Sequence, residues 1–161
     1  MKKLMIALTM LSLPLFAEHG AHEHGVGELS ITVEGNKVKL DLDIPAESIF
    51  FEHEAKTKED KKLKTAAIET LKKDANKFFV FDPKVACRLN KSEVQEEVHK
   101  GGHADIEAEW KFDCQKTISG SELEVLLQAS FPKITTLRIK VNSDILKDSL
   151  VSKEQKIKIK L

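Results

Sequence analysis

The segment from Ala104 to Cys114 alternates apolar and polar side chains without a break, and no other feature of the sequence restricts the fold as strongly. Successive side chains of a β-strand point to opposite faces, so this segment has one apolar face and one charged face. A strand of this kind is expected in an antiparallel sheet that buries one face and exposes the other to water.

A hairpin is predicted to join this strand to the segment that precedes it. Residues 100–102, Lys-Gly-Gly, form a natural three-residue loop, and that loop sets His99 opposite His103. The apolar pattern of the earlier segment changes phase at residues 90–92. A bulge of one residue at this point accounts for the change.

The two cysteines of the chain, Cys87 and Cys114, face each other in this hairpin once the bulge is included. Facing Cβ atoms lie about 4.5 to 5.5 Å apart, which is close to the separation that a disulfide needs. We therefore expect one disulfide if the chain enters an oxidising compartment. A thiolate pair that binds a metal ion is the alternative, and the absence of a C-x-x-C motif argues against a redox enzyme.

Further strands are predicted near both ends of the chain. An alternating pattern runs from Leu29 to Ile44 and is interrupted at Gly35-Asn36, which predicts a first hairpin with one buried face. The same alternation returns between Leu123 and Leu161, where we expect three more strands.

One main helix is predicted from about residue 58 to 79. Thr57 and Asp60 have the spacing of an N-terminal capping box. Apolar residues recur every four positions and are expected to pack on the sheet. These residues are Leu63, Ala67, Leu71 and Ala75. The predicted fold class is therefore α+β, with a mostly antiparallel sheet of about seven strands, one main helix and a single disulfide.

The amino terminus has the layout of a secretory signal peptide. Residues 1–17, MKKLMIALTMLSLPLFA, combine a basic start, a short apolar run and a small residue at the end. The run is shorter than the 20 or so apolar residues that cross a membrane, so we expect cleavage rather than an anchor. The predicted organisation is a signal peptide at 1–17, a histidine-rich arm at 18–28 and a single domain at 29–161, located in the periplasm.

The charge of the chain gives no sign of nucleic-acid binding. Basic and acidic residues are equal in number, at 26 each, and they are interleaved along the sequence. Two of the basic residues lie in the signal segment, so the mature chain is weakly acidic. Binding to phosphate groups would require a basic surplus on one face.

Histidines are concentrated where the signal-like segment ends. Three of the six histidines of the chain lie within six positions, and their spacing allows a chelating arm. His22 and His24 project to the same side of an extended chain, while His19 lies three residues further out on an arm that Gly20 and Gly25 loosen. His99 and His103 face each other across the predicted hairpin, and Asp105 shares a face with His103. Neutral imidazole is a preferred ligand of zinc, so these residues are candidate zinc ligands.

Two other interpretations of the arm stay open. In the first, the arm is a polar tail without a function. In the second, it chelates copper or nickel. After cleavage at Ala17, His19 would be the second residue beside a free amine, and Cu(II) and Ni(II) favour nitrogen ligands of this kind. Affinity alone does not decide between the metals, because imidazole sites bind Cu(II) more tightly than Zn(II).

Five segments of the sequence resemble the ZrgA-like family of periplasmic zinc-binding proteins. They are HEHGVGELSITVEGN, LDLDIPAESIFFEHEA, VACRL, HADIEAEWKFDC and SFPKITTLRIKV. The resemblance covers essentially the whole mature chain. It implies an accessory role in zinc acquisition, in which the protein binds zinc and passes it toward an uptake transporter or the solute-binding protein of that transporter.

The resemblance also implies a ligand set. The core ligands would be His22, His24, His53 and His103. From their positions in the arm and in the hairpin, we expect His19, His99 and Asp105 as a weaker accessory set. Some members of the family carry a long His/Asp-rich insert between the two hairpin strands. Here the loop between His99 and His103 is short, so a second site of high capacity is not expected.

Two other functional classes compete with a metal carrier. A zinc-dependent hydrolase would need three protein ligands and an open position, and Glu52 could act as its base. No H-E-x-x-H, Ser-His-Asp or Cys-His signature is present, so we expect that the protein is not an enzyme. A purely structural envelope protein would give the histidines no role.

Overall fold

The computed structural model describes residues 23–50, 57–99 and 103–161, which form two β-sheets and one main helix. The predicted signal peptide and the candidate ligands His19, His22 and His53 lie outside the described residues. Among the helices within the described ranges, none is long and apolar enough to span a membrane.

Nine strands and three helices make up the described part of the chain. The strands are β1 Val26–Glu34, β2 Lys37–Pro45, β3 Phe79–Phe81, β4 Cys87–Val98, β5 Ala104–Cys114, β6 Glu122–Val125, β7 Thr136–Asn142, β8 Lys147–Ser152 and β9 Ile157–Lys160. The helices are α1 Lys58–Lys73, α2 Ala75–Phe78 and α3 Leu127–Ser130, and 3₁₀ turns lie at Ala46–Ser48 and Pro83–Val85.

The larger sheet has six strands in the order β4-β5-β2-β1-β7-β8. Its neighbours pair antiparallel except for β1 and β7, which run parallel. The predicted first hairpin is confirmed: β1 and β2 pair from Glu34 and Lys37 outward, and Gly35 in the turn has a φ of +61°. The first residue of a two-residue hairpin turn needs positive φ, which glycine adopts without strain.

The predicted hairpin of β4 and β5 is also confirmed, together with its bulge. The register shifts between Leu89 and Lys91, so Asn90 is the extra residue. On one side of the bulge Cys87 pairs with Cys114, and the two residues form a disulfide. The alternative of a thiolate pair for a metal ion is therefore wrong.

The smaller sheet has the strand order β3-β6-β9 and packs against the apolar face of the larger one. Aromatic rings join the two layers: the ring centroids of Phe79 and Trp110 are 5.0 Å apart, and those of Phe81 and Phe112 are 4.9 Å apart. Tilted and edge-on contacts at such distances stabilise a core beyond the area that they bury. The apolar sides of β1, β2 and β5 are thus covered, and their polar sides face outward.

The main helix differs from the prediction in length. The capping box forms as expected, with Asp60 N–H donating to Thr57 Oγ1 at 3.0 Å and Thr57 N–H donating to Asp60 Oδ2 at 3.0 Å. The helix ends at Lys73 rather than near residue 79, and Phe79 already belongs to β3. A residue of the larger sheet holds the end of the helix: the buried indole N–H of Trp110 donates to the backbone carbonyl of Leu71 at 3.0 Å. A carbonyl in the last turn has no partner within the helix and needs such a donor.

The predicted apolar stripe of the helix is wrong at one position. Leu71 and Ala75 are fully buried, but Leu63 is 60% exposed. The buried face passes through Lys64 instead, whose ammonium group pairs with Glu96 of β4 and lies 5.7 Å from the ring centroid of Phe50. The alkyl stem of a lysine can cover apolar surface while its charge remains paired, so Lys64 occupies the place expected for Leu63.

Several short elements were not predicted. The sequence indicated about seven strands in one sheet, whereas the described chain has nine strands in two sheets, of which β3 and β8 were missed. Val85 lies in a 3₁₀ turn and Leu127 begins a short helix, although both were assigned to strands. These elements are only three to six residues long, and periodicity carries little information over so few positions.

Removal of the disulfide is expected to lower the stability of the fold. The double variant Cys87→Ser/Cys114→Ser should lower the free energy of unfolding by about 3 kcal/mol, because the bond closes a loop of 27 residues in the unfolded chain. Urea denaturation of the parent, with and without reductant, and of the variant measures this effect. Equal stability of the variant and the oxidised parent would contradict the prediction.

The two leucines of α1 form a matched pair for testing how the helix packs. Leu71→Ala should lower the free energy of unfolding by about 2 to 5 kcal/mol, because it leaves a cavity in the core. Leu63→Ala should change it by no more than about 0.5 kcal/mol, since that side chain is exposed. Denaturant titration of both variants measures the difference. Similar losses for the two variants would show that the packed face of α1 has been wrongly assigned.

Candidate functional site

The three described histidines lie at one end of four neighbouring strands of the larger sheet. His99 follows β4, His103 precedes β5 and His24 precedes β1, while Glu47 follows β2. In the order β4-β5-β2-β1, these four residues stand side by side, and four strands span only about 14 Å. We call this edge of the sheet the histidine end.

The predicted pairing of His99 with His103 is present, since the His99 N–H donates to the carbonyl of His103 at 2.8 Å. A carboxylate holds one of the two imidazoles: His99 Nε2 lies 2.6 Å from Asp105 Oδ2. Asp105 is 4% exposed, so it is a buried group at the rim of an otherwise open surface. A carboxylate that binds one ring nitrogen orients the imidazole and makes its other nitrogen a better metal ligand.

A second pair of this kind joins the strands on the opposite side of the histidine end. His24 Nδ1 contacts Glu47 Oε1 in the 3₁₀ turn that follows β2. The imidazole is 79% exposed and the carboxylate 18% exposed, so the histidine reaches outward from a partly buried partner. Glu47 was not predicted from the sequence. The signal was present, because extending the register of β1 on β2 by four residues beyond the pair of Glu28 with Asp43 sets His24 opposite Glu47.

The histidine end borders a field of carboxylates on the polar face of the same strands, which we call the outer face. The register places the acidic residues in rows across β1, β2, β5 and β4. They are Glu28, Asp41, Asp43, Glu93, Glu97, Asp105, Glu107 and Glu109. Six of them line or flank a shallow groove of about 470 Å³. Like charges face each other directly, as in Asp43 with Glu107, an arrangement that by itself costs stability.

Lysines balance part of this field, at Glu109 and, through Lys140 at 3.4 Å, at Glu28. Lys111, Lys39 and Lys91 approach Glu109 at 3.1, 3.1 and 3.4 Å. Hydrogen bonds from Lys111 and then from Lys39 lower the pKa of Glu109 to about 2. The acidic residues of the outer face outnumber these four lysines, and a negative surface raises the local concentration of cations.

The described residues alone do not complete a metal site. Within residues 23–50, 57–99 and 103–161, no three His, Cys, Asp or Glu side chains converge closely enough to hold a metal ion. The structure brings His24, His99 and His103 to one edge and joins His99 to Asp105, but it does not bring these groups to one point. The other candidate ligands lie outside the described residues.

The ion pairs of Glu109 predict a dependence of stability on pH. Its pKa of about 2 in the folded protein lies below its usual value of about 4.3, so the ion pairs stabilise the fold above that usual value. This contribution is lost as the pH falls from about 4.5 toward 2. Thermal unfolding at pH 7, 5 and 3 should show that Glu109→Gln is less stable than the parent at pH 7 and that the difference narrows at pH 3.

The exposed Glu154 supplies the control for this series. Glu154→Gln should follow the parent at all three pH values. A deficit of Glu109→Gln that stays constant from pH 7 to pH 3 would show that the charge of Glu109 is not its cause.

Comparison with known proteins identifies the family. No curated protein matches the chain. Residues 21–161 match the family described as ZrgA family zinc uptake protein, which covers both predicted hairpins, the disulfide and the histidine end. The resemblance seen in the sequence is thereby confirmed. Since the match extends over nearly the entire chain, the protein belongs to the ZrgA family of zinc uptake proteins.

Proposed function

We propose that the protein binds Zn²⁺ in the periplasm through its histidines and passes the ion to a zinc uptake transporter or to the solute-binding protein of that transporter. Membership of a zinc uptake family supports zinc as the cargo. The structural observation that carries the proposal is the histidine end, where His99 and His103 of one hairpin and the distant His24 stand at the same edge of the larger sheet. The negative outer face beside them favours a cationic cargo.

The proposed core ligands are His22, His24, His53 and His103. His22 precedes His24 by two residues, and His53 follows Phe50 by three residues. Phe50 belongs to the same end of the molecule, because its carbonyl accepts a hydrogen bond from Lys133 Nζ at 3.4 Å.

The backbone carbonyl of Lys133 in turn lies against Gly25, the residue that follows His24. The described residues next to His22 and nearest to His53 in the sequence, Glu23 and Phe50, therefore lie near the histidine end. Four imidazoles at about 2.0 to 2.1 Å would complete a tetrahedral zinc site.

His19, His99 and Asp105 are proposed as the accessory set. The contact between His99 and Asp105 supports a role in which the carboxylate orients the imidazole. This arrangement suits a carrier, because an accessory histidine can accept the ion as a core ligand leaves. We therefore propose carriage rather than catalysis for this protein.

We propose zinc rather than copper or nickel because the family match names zinc, whereas nothing within residues 23–50, 57–99 and 103–161 favours a square-planar nitrogen site. The disulfide supports export, since such bonds persist in oxidising compartments such as the periplasm. A cleaved signal peptide at residues 1–17 is the proposed route of export.

Calorimetric titration of the metal-free mature protein tests the ligand set. The double variants His22→Ala/His24→Ala and His53→Ala/His103→Ala should each bind Zn²⁺ at least about 10-fold more weakly than the parent, because each removes two core ligands. Affinity of the parent should fall steeply between about pH 7.5 and 5.5, because protons compete with zinc for imidazole. Asn142→Ala, on the outer face at the far end of β7, is the control and should bind as the parent does.

The zinc affinities of the two double variants test the ligand set and the independence of the arm separately. If both double variants bind zinc as tightly as the parent, the proposed ligands are wrong. If only the His22→Ala/His24→Ala variant binds Zn²⁺ more weakly, the arm is an independent chelator. The titration of the parent should then be repeated with Cu²⁺. Carriage is tested in a deletion strain grown under zinc limitation, where the parent gene should restore growth and the two double variants should not.

A further inference from the structure

The residues around His24 form a tight turn immediately before β1. The N–H of Val26 donates to the carbonyl of Glu23 at 3.0 Å, so residues 23–26 are closed as a four-residue turn. Gly25, at the third position, has a φ of +72°. A type II turn requires positive φ at this position, and glycine adopts it without steric cost. The turn sets the position of His24 relative to the start of β1.

The carbonyl of Gly25 fastens this turn to the segment that precedes β7. It accepts hydrogen bonds from the N–H of Thr135 at 2.8 Å, from the N–H of Thr136 at 3.1 Å and from Thr135 Oγ1 at 3.2 Å. The turn is also fixed on its outer side, because Arg138 Nη2 of β7 lies 2.8 Å from Glu23 Oε2. Residues more than a hundred positions away in the sequence therefore hold the histidine-bearing turn in place.

Gly25 leaves no space for a side chain. A Cβ at this position would lie 2.8 Å from Thr135 Oγ1 and 2.9 Å from the backbone carbonyl oxygen of Lys133. The second of these contacts is with backbone and cannot be relieved by a rotamer change, so the turn would have to move. The two other positive-φ glycines for which the surroundings are known, Gly35 and Gly120, would meet nothing within 4 Å.

We propose that Gly25 is a positioning residue for zinc binding, which it supports by holding the turn that carries His24 against the segment before β7. The inference rests on the proposed function and concerns how that site is organised. Thr135 and Arg138 assist by fixing the two sides of the turn. With the turn held, His24 stays beside Glu47 at the histidine end, and less conformational freedom is lost when the ion binds.

The three glycines supply a matched test. In Gly25→Ala, Gly35→Ala and Gly120→Ala, the penalty for alanine at positive φ is shared, but only Gly25→Ala adds the steric conflict. Zinc affinity is measured by competition with a chelating dye, and Co²⁺ is used as a spectroscopic probe of the ligand geometry. Gly25→Ala should bind zinc about 10-fold more weakly and alter the Co²⁺ absorption bands, a change typical of lost support around a metal site. The two controls should keep the affinity and the bands of the parent, even where their melting temperature falls.

A second set of variants decides the question if Gly25→Ala does not fold. Arg138→Gln removes the ion pair with Glu23, and Lys140→Gln, two residues further along β7, is its control. Arg138→Gln should weaken zinc binding several-fold, and Lys140→Gln should not. Thr135→Val, which removes the hydroxyl donor and keeps the shape of the side chain, should also weaken binding.

Three results would overturn the inference. They are parent-like affinity and Co²⁺ bands in a folded Gly25→Ala, equal losses in the three alanine variants, and parent-like binding by both Arg138→Gln and Thr135→Val. In each case the parent still binds zinc and the proposed function stands. A parent protein that binds no zinc would contradict the proposed function, and this inference with it.

Discussion

The register of β4 on β5 is the constraint on which the rest of the structure depends. One extra residue, Asn90, shifts the pairing between Leu89 and Lys91. Because side chains alternate along a strand, a shift of one residue exchanges the two faces. The bulge keeps the apolar side chains on the covered face along the whole hairpin. It also allows a disulfide at one end and facing histidines at the other, so the fold and the proposed site depend on one register.

The two faces of the larger sheet differ in what they contribute: one forms the packed core, and the other carries the charged groups. The covered face holds Trp110 and Phe112 against the smaller sheet, and Trp110 also ends the main helix through its bond to Leu71. The outer face carries facing carboxylates, an arrangement that by itself lowers stability, and lysines neutralise part of this charge at Glu109 and at Glu28. A well-packed core offsets such a cost, and the outer face can then keep a negative potential next to the histidines.

Local patterns predicted the parts of the fold that local geometry determines. The two hairpins, the bulge, the capping box and the disulfide all follow from turns and alternation within short stretches. The parallel pairing of β1 with β7 could not be predicted, because it joins residues about 110 positions apart. The exposure of Leu63 was missed because the periodicity fitted two neighbouring helix faces. For the site, spacing identified His24, His99 and His103, but their common edge depends on the strand order and on partners such as Glu47.

The central claim is that histidines from separate segments bind one zinc ion at this edge of the sheet. Crystallographic anomalous scattering above and below the zinc absorption edge, measured on the zinc-loaded mature protein, tests it most directly. The account predicts one principal anomalous peak at the histidine end, about 2.0 to 2.1 Å from ring nitrogens that include those of His24 and His103. A principal peak among the carboxylates of the outer face, or one bound by the residues of a single segment, would contradict it.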